Sequence, residues 1–206
     1  MSALLAAIAE DAEALAALHD RELTPAMIAA LREADFPRCL ALLPRTEKAA
    51  GAWRAMAAAV AQLPAPDDAL ALDDLAAEYA AIYLTGAYGA SPCESMWTDD
   101  DGLNCQAAMF EWRALHDAIG LATPDWRQRP DDHLVLQLLH IAASARRPTS
   151  TDFGDELIRV LDDHVLRWLP QFAARVAGRS ASGFYAALAV LTAEWAWSAR
   201  AAIARP

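Results

Sequence analysis

The chain has little cysteine, little glycine and no long uncharged apolar run, and each scarcity removes a class of protein. Its three cysteines, Cys39, Cys93 and Cys105, form no CxxC pair and are odd in number. Neither a disulfide framework nor a zinc site is indicated, and a reducing compartment is expected. Eight glycines and few runs of Val, Ile or Thr leave little material for turns and strands. No uncharged apolar stretch approaches the roughly 18 residues that mark a membrane span, so no stable membrane insertion is expected. The segment from Met1 to Leu18 is apolar, but it lacks an early Lys or Arg and carries Glu10, Asp11 and Glu13. It is not expected to act as an export signal, and the expected location is cytoplasmic.

Basic side chains are scarce too: 17 against 28 acidic ones, for a formal charge of -11. The resulting field repels nucleic acid and anionic lipid and attracts cationic partners. Catalytic signatures are equally thin. There is no GxxxxGK[ST] or GxGxxG phosphate loop, no GxSxG nucleophile turn, and no Glu followed three residues later by His. His133, Gln137 and His140 share one helical face, but glutamine is a poor ligand and no second cluster completes a shell, so no metal is expected.

What remains is a chain of 206 residues, 56% apolar and rich in alanine, which reads as one all-α unit, a compact multi-helix bundle with no sheet. Apolar residues at helical spacing predict helices over Ser2–Asp20, Pro25–Ala34 behind the cap Thr24, and Glu47–Gln62. Leu72, Leu75, Tyr79, Ile82 and Tyr83 form one stripe that should end near Gly86. An irregular loop follows from Thr85 to Gly102 and holds the acidic triplet Asp99, Asp100 and Asp101. Further helices are predicted over Leu103–Ile119, from about Leu134, over Thr151–Leu166 and Leu169–Ala177, and from near Ser182, where Phe184, Leu188, Leu191 and Trp195 repeat at core spacing.

Polar chemistry concentrates in two places. At Pro130, Asp131, Asp132, His133 and Leu134 a helix is predicted to begin with two carboxylates and an imidazole in its first turn. Helix-dipole attraction accounts for the aspartates. It does not account for His133, whose charge is pulled up by the carboxylates and down by the helix end. The second cluster, Ser91 to Trp97, places Glu94, Ser95 and an indole in the irregular loop, where an exposed Trp97 beside carboxylates suits an apolar and cationic peptide. Two other readings stay open: a helical hydrolase or small-ligand enzyme using Asp132 and His133, and a general interaction module that grips folded parts of a partner.

Several segments in order resemble the TorD/DmsD family of chaperones for molybdenum-containing redox enzymes. Glu78, Tyr79, Ile82 and Tyr83 look like its EYxxLF helix, and Ser91 to Trp97 like its proline, glutamate, serine and aromatic loop. Pro130 to Leu134 resembles its PDH hinge, His164, Trp168 and Pro170 its H-x-x-x-W-x-P element, and Phe184 to Thr192 its FYxxLAxLT pattern. Cys93 and Gln137 depart from the residues common at those places. The resemblance implies a single TorD-like helical domain over 1–206, with an N-terminal part to about 126, a hinge at about 127–133 and C-terminal helices beyond. It also implies no enzymatic activity, no cofactor, and binding of the twin-arginine leader and apo-form of a molybdoenzyme of the DMSO/TMAO reductase type. Tyr79, Tyr83, Glu94, Ser95, Trp97, Asp131, Asp132 and His133 are the residues expected to meet that peptide, the carboxylates pairing its arginines.

Overall fold

The computed structural model describes residues 2–123, 125, 127–147 and 153–204. The start expected at Thr151, and Pro124 and Trp126 of the connector, lie outside those residues. Among the described residues every regular element is helical: α1 (Ser2–Asp20), α2 (Pro25–Glu33), α3 (Glu47–Ala61), α4 (Ala69–Tyr79), α5 (Ser95–Thr98), α6 (Ala107–Ala118), α7 (Leu134–Ala145), α8 (Phe153–Val160), α9 (Leu166–Ala177) and α10 (Phe184–Ile203). The sole β-type pairing among them is one isolated antiparallel bridge between Cys93 and His133. No helix among them is long and apolar enough to cross a membrane.

Two helices are buried on nearly every side. In α7 the run Leu134, Val135, Leu138, Ile141, Ala142 and Ala145 leaves almost no polar face, and in α10 Tyr185, Leu188, Leu191 and Trp195 are fully covered. Helices apolar all round must lie inside. α1 packs along α7, while α3 and α9 pack along α10, so one apolar core runs from Leu5 to Ile203. Loops between these helices carry polar backbone that must be satisfied. Asp11 on α1, itself buried, does this for one of them: it accepts hydrogen bonds from Ala41 N at 2.7 Å, Leu42 N at 2.9 Å and the Trp195 indole at 3.1 Å.

Three boundaries differ from the sequence expectation. The stripe ending at Tyr83 continues α4 through one widened turn, Ala80–Leu84, before Gly86 turns the chain at φ +66°. A second widened turn, Leu161–Val165, joins α8 to α9. The break expected between Leu166 and Leu169 is therefore absent, and Pro170 lies in the first turns of α9, where only one hydrogen bond to the preceding turn is lost. Finally, α7 begins at Leu134 with His133 as its cap, so Asp131 and Asp132 precede the helix and do not occupy its first turn.

Asp11→Ala would leave three donors without their acceptor at once, two of them buried. It is expected to lower stability by about 2–4 kcal/mol, read as a reduced urea midpoint with an unchanged slope; an unaltered midpoint would show that the loop at Ala41 and Leu42 is not held through Asp11.

Candidate functional site

The two polar clusters, some 40 residues apart in sequence, are stitched together by backbone. Leu134 N donates to Pro92 O at 2.8 Å and Glu94 N to Asp132 O at 3.2 Å. Side chains then lock the seam. Asp132 Oδ2 accepts from Ser95 N at 2.8 Å and from Ser95 Oγ at 2.6 Å. Glu94 is 1% exposed, and its carboxylate accepts from the Trp112 indole at 2.7 Å and the Gln137 amide at 3.0 Å, with His164 Nδ1 at 3.2 Å. A buried carboxylate is tolerated only when surrounded by donors in this way.

Gln137 is used in full. Its amide nitrogen donates to both Glu94 and the Asp132 carbonyl, each at 3.0 Å, and its oxygen accepts from the Trp168 indole at 3.2 Å. A glutamate there would present an oxygen to the Glu94 carboxylate, so the departure noted in the sequence is what the buried network requires. His164 and Trp168, one turn apart on the same helical rod, both reach this seam. Segments spread from 91 to 168 therefore converge on one polar knot.

Asp131 faces away from the knot. Burial favours its neutral form, yet the Thr123 hydroxyl at 2.6 Å and the Arg113 guanidinium at 2.8 Å hold its carboxyl below the ordinary range. Asp132 shifts the other way: burial outweighs the Ser95 hydrogen bonds, its Oδ1 has no hydrogen-bond partner, and its carboxyl is pushed up. The three carboxylates expected to pair a ligand's arginines are thus buried and engaged inside the protein. Trp97 is also not the exposed indole expected. It is half-buried, donates to Ser91 O at 2.8 Å, packs edge-on to Phe172, and has Arg175 over its ring.

Next to the knot lies a cleft of about 420 Å³, into whose lining Tyr79, Tyr83 and His133 fall. Ile82, Leu84, Pro92 and Met96 supply further apolar wall, and Arg127 to Pro130 form the opposite side. Glu94, Ser95, Asp131, Asp132 and Trp97 do not line it. Sequence reading missed the arginine wall because nothing local in its spacing marks it. Tyr79 and Tyr83 stack with centroids 4.7 Å apart, and Tyr83 is fixed through His19, 2.6 Å from its hydroxyl, to Thr192 at 2.9 Å. A larger groove of about 660 Å³ runs between α3, α4 and the loop before α10. Its buried Glu78 is taken by Ala181 N and Ser182 N, and it holds none of the residues singled out as peptide contacts.

The pairing of Asp132 and His133 for hydrolysis is not formed. Asp132 turns inward to Ser95, which is fully buried, while His133 Nδ1 accepts from Val135 N at 3.2 Å to cap α7. Burial, with Arg129 adding to it, drives the His133 pKa down to about 3, so the imidazole is neutral. Among the described residues no three His, Cys, Asp or Glu side chains are grouped to hold a metal ion.

Two substitutions test this geometry. Gln137→Glu sets a second carboxylate against Glu94 and is expected to cost about 2–4 kcal/mol, part of it recovered in the double variant with Glu94→Gln; equal cost in both backgrounds would contradict the direct contact. For His133 the folded pKa lies near 3, below the ordinary 6.5. Below pH 6.5 the unfolded chain therefore takes up a proton that the folded chain refuses, and stability falls as pH drops towards 3. His133→Asn keeps a capping group and should make the decline in denaturation midpoint between pH 6.5 and 4 shallower; an identical decline would show that His133 is not buried and neutral.

A family model for the nitrate reductase delta subunit matches residues 44–174, well over half of the chain and all of the knot. Chaperone protein TorD of Vibrio cholerae serotype O1 (strain ATCC 39315 / El Tor Inaba N16961) is 32% identical over 126 residues, 57% of this chain and 57% of its own. The chain thus spans little more than half the length of that relative. Chaperone protein TorD of Shewanella piezotolerans is 31% identical over 144 residues, 66% of this chain and 65% of its own. The protein of that name from Escherichia coli O8 is 28% identical over 183 residues, 86% of both chains. No solved structure gives a significant match. With three of the motifs meeting in one knot and the family match spanning all of it, the chain belongs to the nitrate reductase delta subunit family, among its TorD/DmsD-type members.

Proposed function

We propose that this protein is a cytoplasmic chaperone for a redox enzyme, and that it binds the twin-arginine leader of an apo-molybdoenzyme of the DMSO/TMAO reductase type in the cleft beside His133. It thereby withholds its client from export until the molybdopterin cofactor is inserted. The observation that carries this reading is the cleft itself: a trough that sets aromatic and apolar residues beside the polar stretch 127–129, next to a buried polar knot that fixes its shape. Such a trough takes the apolar stretch of a leader, and its volume lies in the range of ordinary ligand sites. Leu84, 71% exposed on the wall, and Leu103, 55% exposed beside the lining residue Asn104, extend the apolar surface beyond it.

Tyr79, Tyr83 and His133 are the contacts in this reading. Glu94, Ser95, Asp131, Asp132 and Trp97 act from behind by holding the walls. The charge of -11 speeds encounter with a cationic peptide without setting which one binds. Named chaperones among the relatives support the same class of function, and nothing in the Asp132 and His133 geometry favours hydrolysis.

Titration calorimetry with a synthetic leader should show micromolar or tighter binding. Leu84→Glu, a surface change that leaves the core intact, should weaken it roughly tenfold, whereas Leu43→Glu, away from the lining, should not. Absence of binding to the parent protein, or equal effects of both changes, would overturn the proposal.

A further inference from the structure

Arg129 lines the cleft and reaches from the hinge to Asp20 at the end of α1, 109 residues earlier. Its Nη1 donates to Asp20 Oδ1, and its Nη2 lies 3.4 Å from the Asp20 carbonyl. The other carboxylate oxygen, Oδ2, belongs to Arg21, whose Nη2 donates at 2.6 Å from a side chain 68% exposed on the outer surface. The two oxygens are therefore divided: Oδ2 faces out to Arg21, and Oδ1 faces the hinge. Both members of the inner pair keep some solvent contact, with Arg129 36% and Asp20 22% exposed. Arg129 lines the cleft and Asp20 does not, but Tyr79 and His133, two lining residues, each feel the charges of both, so the pair lies beside it.

The hinge has a second side-chain anchor, Asp131 to Arg113 and Thr123, but there the carboxylate is 3% exposed and held by three hydrogen bonds. It is the better covered and the more heavily bonded of the two carboxylates. Asp20 is the accessible one, and a guanidinium already sits on it.

Resting on the leader-binding reading above, we propose that the Arg129–Asp20 ion pair is an autoinhibitory strap: an arginine of the incoming peptide displaces Arg129 from Asp20 Oδ1 and frees the wall at 127–130 to accommodate the chain behind it. The exchange replaces one guanidinium by another, so Asp20, the more buried of the two, keeps its partner, and the displaced Arg129, 36% exposed, turns to solvent. It also favours arginine over lysine, because the planar fork that Arg129 uses, with one nitrogen on the carboxylate and a second at the backbone carbonyl, cannot be copied by a single ammonium. The closed pair lowers the apparent affinity of the resting protein, since the competent state must first be populated.

The test is calorimetry with three leader peptides, carrying Arg-Arg, Lys-Lys or Ala-Ala at the paired position, on the parent protein and on Arg129→Ala, Arg129→Gln, Asp20→Asn and the Asp20→Asn/Arg129→Gln double variant. Arg129→Gln keeps most of the packed stem, and circular dichroism confirms that each variant is folded. The strap predicts that both Arg129 substitutions tighten the Arg-Arg and the Ala-Ala peptide alike, roughly fivefold, while the preference for Arg-Arg over Ala-Ala depends on Asp20 and is lost in Asp20→Asn. Asp20→Asn weakens the Arg-Arg peptide, and the gain from Arg129→Gln disappears in the double variant. Amide exchange at 127–130 should quicken in Arg129→Gln and in the parent with peptide bound. If the Arg-Arg peptide binds the parent but Arg129→Gln leaves its affinity equal or lower, the strap is wrong and Arg129 is a wall or a contact. If no peptide binds any form, the leader reading itself fails and the strap with it.

Discussion

The structure depends on the burial of the Glu94 carboxylate. A charge taken out of water must be surrounded by donors, and these come from three separate parts of the chain: Trp112 on α6, Gln137 on α7 and His164 on the turn before α9. Each donor arrives only when its own helix is docked, so an irregular loop is held as firmly as a helix. The neighbouring clasp of Asp132 on Ser95 repeats the device from the other side of the seam.

That rigidity shapes the cleft. Its fixed wall consists of Tyr79, Ile82 and Tyr83, tied through His19 and Thr192 to α1 and α10, together with Pro92 and Met96, tied through the Glu94 knot. Its other wall, 127–130, belongs to a connection whose side-chain anchors are Arg129 on Asp20 and Asp131 on Arg113. One wall is thus part of the core, and the other is attached to it by ion pairs. A site built in this way can keep its apolar register while adjusting its width. Local stability of that kind, lowest where few apolar contacts hold the backbone, is the usual property of elements that move on binding.

Much of the fold was legible because alanine-rich helical periodicity is a local signal. The stripes on α1, α4 and α10 and the caps at Thr24 and Gly86 were all readable from neighbours in sequence. The continuity of α8 with α9 across Leu166 to Leu169 was not, since a widened turn and a break between helices look alike in local spacing. For the site, the sequence marked the right segments but assigned the wrong exposure. Asp131, Asp132 and Glu94 read as surface carboxylates because most carboxylates are exposed. Their donors Arg113, Trp112 and Gln137 lie on other helices and leave no trace in local spacing. Arg129 and Asp20 could not have been paired at all, being joined only by the packing of α1 against α7.

The central claim is that the cleft between the α4 end and the hinge is where this protein takes up a peptide. Hydrogen exchange of the intact chain, with and without a saturating twin-arginine leader, tests it most directly. The account predicts slowed exchange at 79–86 and 91–96, with altered exchange at 127–133. Protection confined to the larger groove near Leu63, Asp68 and Asp74, with the cleft unchanged, would contradict it.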